Sequence, residues 1–91
     1  MVSTIWKYPL ETTVLQKIIM PCRSRFISVI EQNDQPVMYF MVDEKQAAFE
    51  KKWVYIFGTG HPLVPEAIDG TAKHRGTIST HEGKLIWHIF M

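Results

Sequence analysis

The sequence predicts an all-β domain: a small, mainly antiparallel barrel or sandwich of six or seven short strands, with at most one or two short helical turns. Three observations predict it. Apolar residues recur with the two-residue period of strands. Gly, Pro, Asn and Asp separate these runs at short intervals. No long amphipathic pattern is present to supply the helical crossovers that parallel strands need.

The first predicted strand is Ile5 to Leu10, with Trp6, Tyr8 and Leu10 on one face. Pro9 marks an edge or an end. The second, Thr13 to Met20, is rich in β-branched residues and stops at Pro21. Phe26 to Glu31 and Val37 to Val42 are the third and fourth. The turn-forming Gln32-Asn-Asp-Gln-Pro36 between them predicts a hairpin. The fourth is apolar on both faces, as a covered strand would be. Asp43 to Lys52 is charged and reads as a loop with partial helical content, because isolated helices this short are marginal. Trp53 to Phe57 is the fifth strand. A long connection to Gly70 follows, with one helical turn over Pro65 to Asp69, where proline suits the first position. Arg75 to His81 and Lys84 to Met91 complete the set. Glu82-Gly83 joins them in a turn that needs a positive φ at Gly83.

Ninety-one residues form a single domain, 1–91, with a limited core. Five Met, five Phe, three Trp and three Tyr are more large side chains than that core can hold. An exposed apolar patch is expected, and with it a homo-oligomer. The net charge of +1 gives no general pull toward nucleic acid or an acidic membrane surface. One cysteine, Cys22, excludes an internal disulfide and a cysteine-based zinc cage. No signal peptide pattern is visible, and the apolar runs are strand-sized, so the chain is expected in the cytoplasm, off the membrane.

The run Gly58-Thr-Gly-His-Pro62, at the end of an apolar strand, is the leading candidate site. Glycines can aim consecutive backbone N–H groups into one concavity that holds a phosphate. Thr59 and His61 would add donors. The plainer reading is a tight exit turn. The run is neither a Walker loop nor a dinucleotide fingerprint, since no Gly-Lys-Ser/Thr and no long helix follow. Arg23 and Arg25 flank one strand, and Lys73-His-Arg75 precedes another. Guanidinium forks match phosphates, although surface charges of this kind commonly serve solubility alone. Of the aromatics on strands (Trp6, Tyr8, Trp53, Tyr55, Trp87), one is expected to stack on a ligand, with Trp6 or Trp87 favoured. The four histidines lack metal-ligand spacing. No nucleophile elbow or inward carboxylate pair is evident, so neither catalysis, a cofactor nor a metal is expected.

Ile5-Trp-Lys-Tyr-Pro-Leu10, Met20-Pro21, Gly58-Thr-Gly-His-Pro62, Gly76-Thr77 and Leu85-Ile-Trp-His-Ile-Phe90 resemble a family of small, uncharacterised phage, prophage and bacterial proteins. The resemblance runs nearly end to end. The chain departs from it at Cys22-Arg23 and at Met38-Tyr-Phe40. A phage origin implies a compact accessory protein. The leading expectation is a non-enzymatic protein that binds a nucleotide-derived small molecule and so counters host immune signalling, as a sponge. Gly58, Thr59 and Gly60 would cradle phosphate, helped by Arg23 or Arg75. The alternative is a protein-interaction module, either a virion accessory or an inhibitor of a host protein.

Overall fold

The computed structural model describes residues 3–91, apart from the side chains of Glu66 and Ile68. Seven strands and one helical turn follow in the order β1 (Ser3–Pro9), β2 (Leu15–Pro21), β3 (Arg25–Gln32), β4 (Gln35–Asp43), β5 (Phe49–Gly58), α1 (Pro65–Ile68), β6 (His74–Thr80) and β7 (Leu85–Phe90). They form two antiparallel sheets, β1-β4-β3 and β2-β5-β7-β6. The architecture is a sandwich and not a closed barrel. Its thinnest dimension is 15 Å, as two layers of backbone about 10 Å apart require.

Alternation on each strand builds the core between the layers. Met38, Phe40 and Val42 on β4 face Ile18 and Met20 on β2, Val54 and Ile56 on β5, Ile78 on β6 and Ile89 on β7. Phe40 is fully buried and takes the edges of Tyr8 and Phe26, with ring centroids 5.6 and 5.7 Å away. Truncating a packed phenylalanine of this kind to alanine costs about 3–5 kcal/mol.

The β3–β4 hairpin forms where its turn residues predict. Asn33 and Asp34 both hold positive φ, at 55° and 62°, the type I′ signature. The expected helical turn is present as α1. Two expectations are corrected. The segment 49–52, read as part of a charged loop, is strand, because Phe49 to Lys52 pair with Pro21 to Ile18 of β2. Cross-strand pairing overrides local helix preference here. The fourth strand is covered on its outer face only in part: Val37 is buried and Tyr39 half-buried there, but Met41 is exposed, while Met38, Phe40 and Val42 are buried on the core face.

The two sheets meet along β3 and β6. A Cβ placed on Gly76 would lie 2.5 Å from Val29 Cγ1. The Arg75 guanidinium sits 5.5 Å from the centre of the Phe26 ring. The His81 N–H donates to Asp34 Oδ1 at 2.8 Å. The opposite margin is left to β1 and β2, the free edges of the two sheets. Each of these strands ends in a proline, Pro9 and Pro21, a residue suited to an unpaired edge.

Candidate functional site

The glycine bend turns as its sequence requires. The His61 N–H donates to the Gly58 carbonyl at 3.0 Å, and Gly60 holds φ +89°, the third-position angle of a type II turn. The Thr59 N–H donates to the Ile86 carbonyl at 3.3 Å. Two of the bend's amides are therefore occupied within the protein, and they do not form the expected row of free donors. The His61 ring also covers Gly58, since a Cβ there would lie 2.8 Å from His61 Cε1. The bend therefore lacks the consecutive free amides on which the phosphate reading rests.

What the bend does line is a shallow recess of about 300 Å³ with Phe57, Leu63, His88 and Phe90. Thr59 Oγ1 lies 2.8 Å from His88 Nε2, and His88 Nδ1 lies 3.1 Å from Thr77 Oγ1. Thr77 Oγ1 is in turn 3.0 Å from His74 Nε2. This chain of hydroxyls and imidazoles crosses the outer face of the larger sheet because Phe57, His88 and Thr77 are cross-strand neighbours. Half-buried His88 is thus a satisfied histidine.

Of the other expected partners of the bend, Trp87 lies beside it, whereas Trp6, Arg23 and Arg75 lie elsewhere. Trp6 donates its indole N–H to Glu44 at 3.1 Å and packs on the core from β1. Trp87 packs on the core too, and its indole N–H reaches Thr80 Oγ1 at 3.0 Å. One edge of Trp87 reaches a small recess of about 170 Å³ beside the bend, where Lys84 is the only side-chain ammonium among the lining residues. Arg23 follows β2, whose end lies beside the start of β5, whereas the bend closes the end of β5. Ten strand residues separate those ends, about 30 Å at the rise of a strand. Arg23 and the bend cannot share one small ligand.

Arg75 marks a different cavity. β7 ends opposite Tyr55, while β5 continues back to Phe49 along β2 alone. The result is a notch of about 360 Å³, lined by Lys51, Lys52, Trp53, Tyr55, Thr71 and Arg75 among others. The alternation of the ladder fixes what faces it. The Ile56 N–H bonds to Val14 and the Cys22 N–H to Ala48, so even-numbered positions of β5 turn their main chain toward β2. The main-chain groups of Trp53 and Lys51 then point into the notch. Trp53 is half exposed, at 50%. Arg75 is anchored by an Nε–H bond to the Met91 main-chain oxygen at 3.0 Å. Lys52 pairs with Glu50 at 2.7 Å.

A third cavity, of about 450 Å³, lies past the ends of β2 and β4 and holds Arg23 with Arg25. Cys22 borders it. Burial pushes the Cys22 thiol up, and its hydrogen bond to Glu50 adds to the rise. A thiol held neutral is the reverse of an activated nucleophile. The Lys52 ammonium holds Glu50 below the usual carboxylate range, with the Cys22 thiol and the Arg23 N–H assisting. Among the described residues, no three His, Cys, Asp or Glu side chains gather as a metal site. No helix in the described residues is long and apolar enough to cross a membrane.

Arg75 was legible as a candidate. Its guanidinium stands over Phe26, and the rings that share its cavity are Trp53 and Tyr55 and not Trp6 or Trp87. Strand parity separates them: odd positions of β5 face outward, whereas Trp6 and Trp87 face the core.

A family model matches the chain over residues 1–91, with the description domain of unknown function (DUF7352). No curated protein and no solved structure matches.

Proposed function

From the premise that the chain belongs to the DUF7352 family over its whole length, we propose that it is a non-catalytic binding protein for a small, anionic, ring-bearing molecule of the nucleotide class, taken up in the notch beside β5. One observation carries the proposal. Three cations (Lys51, Lys52, Arg75) and two rings (Trp53, Tyr55) line the same cavity. An indole or phenol offers a face on which a base stacks, worth about 1–3 kcal/mol. Arg75 and Lys51 supply the charge for a phosphate, and the main-chain amides turned into the notch supply neutral donors. The volume suits a mononucleotide-sized ligand. Such a protein acts by withholding its ligand, as a sponge that depletes a nucleotide-derived signal would. A phage origin would place that signal in host defence.

The test is thermal. Mononucleotides and cyclic dinucleotides are expected to raise the melting temperature and to quench Trp53 fluorescence. Lys51→Glu should remove both effects, because its side chain is exposed and the substitution reverses charge at the notch. No shift with any member of a broad nucleotide panel would remove the proposal.

A second reading is favoured by a separate observation. Leu15, Ile19, Phe49 and Trp53 are 49–57% exposed and lie on one outward face of β2 and β5. A protein partner would cover such a face. Loss of binding to that partner on Ile19→Asp, with nucleotide response intact, would separate the two readings.

A further inference from the structure

We propose that the cavity holding Arg23 and Arg25 is a second binding site, for a small hydroxylated molecule carrying a terminal phosphoryl group, such as a sugar phosphate. The site is independent of the notch and stands whether or not the notch binds a ring.

Four observations carry it. The cavity, about 450 Å³, is larger than the glycine-bend recess and the notch. Both guanidiniums line it, and among the described residues neither has a carboxylate within ion-pair distance. Two unpaired forks converging on one concavity match the oxygens of a phosphoryl group. The remaining polar lining is Ser3, Asp43 and Gln46. Asp43 repels an anion, but its carboxylate, whose Oδ1 takes the Lys45 N–H, keeps Oδ2 to accept from a hydroxyl. Gln46, whose Oε1 takes the Ala48 N–H, can donate, and Ser3 can donate and accept. With two positive charges against one negative, the cavity suits a phosphate attached to a polyol better than a bare anion.

The backbone supplies the fourth observation. Arg23 holds φ +67° in the turn between β2 and β3. That left-handed conformation favours Gly or Asn and strains a long side chain. The turn itself needs no arginine, because Ser24 Oγ closes it on the Pro21 carbonyl at 2.6 Å. An arginine kept at a position that disfavours it, with its charged end unused by the fold, is a residue placed for a ligand.

The experiment is calorimetric titration with ribose 5-phosphate, beside ribose and inorganic phosphate. Ribose 5-phosphate should bind, inorganic phosphate at least tenfold more weakly, and ribose not at all. Arg23→Asn should weaken binding at least tenfold while leaving the melting temperature unchanged or higher, since asparagine relieves the backbone strain. Arg25→Lys, which keeps the charge and loses the fork, should weaken it measurably, and Lys51→Glu in the notch should leave it within about twofold. No binding of ribose 5-phosphate at millimolar concentration would overturn the proposal. So would binding that survives Arg23→Asn, or that inorganic phosphate matches. A fall in melting temperature on Arg23→Asn would show that the arginine serves the turn instead.

Discussion

At the scale of single residues, the chain separates groups that the fold satisfies from groups it leaves over. Tyr8 belongs to the second kind. Its hydroxyl is buried and, among the described residues, the only buried side-chain polar atom without a hydrogen-bond partner. Burial pushes its pKa up. Removing an unsatisfied buried group is nearly neutral or favourable, so Tyr8→Phe is expected to hold or raise stability, by up to about 1 kcal/mol in denaturant titration. A loss above that would mean the hydroxyl has a partner. Glu50 is of the first kind. Its folded pKa is depressed, chiefly by Lys52. The stability it contributes is therefore present above the unfolded carboxylate value, near 4.3, and is lost as pH falls through the folded value. Its side chain is 34% exposed, so the effect is small. Glu50→Gln should flatten the stability profile below about pH 4.3 and leave it unaltered in shape near neutrality. A steeper acid limb in the variant would contradict the assignment.

At the scale of elements, the seam between β3 and β6 closes the sandwich where main-chain pairing between the two sheets stops. Gly76 lies there because Val29 occupies the space a side chain would need. Gly76→Ala is expected to cost about 1–3 kcal/mol through overpacking, and Val29→Ala in the same chain should recover part of that loss. A Gly76→Ala variant as stable as the parent would mean that the seam yields freely. The β3–β4 hairpin contributes through Asp34, which both turns the chain and bonds to the His81 N–H across the seam. An Asn-Gly turn is the stronger local hairpin former, yet Asp34→Gly would break this tie between sheets. Locally favourable chemistry and the tertiary bond oppose each other at that position.

At the scale of the whole molecule, two free edges and one apolar outer face are exposed together. On β2 the main-chain groups of Leu15, Lys17 and Ile19 point away from β5, by the same parity that opens the notch. Lys17 is the charged residue that blunts this edge. Lys17→Ile should therefore shift the protein toward higher-order assemblies in light scattering. Unchanged mass across a hundredfold concentration range would mean that Pro21 and the strand's twist protect the edge without the lysine. The wild-type protein is expected to associate weakly through the face carrying Leu15, Ile19, Phe49 and Trp53.

The sequence by itself determined the fold class, the β3–β4 hairpin, the helical turn at Pro65 and the glycine bend, because period-two patterning and turn chemistry are local properties of the chain. It also marked Arg23, Arg75 and a stacking ring as candidates, because forked cations and indoles carry their chemistry wherever they sit. The tertiary structure decided which of them meet. Ladder parity sent Trp6 and Trp87 to the core and Trp53 and Tyr55 to the surface. The early end of β7 opened a notch beside Arg75, and the length of β5 parted Arg23 from the bend. Pairing partners and strand ends are set by contacts between residues far apart in the chain, and no local pattern encodes them.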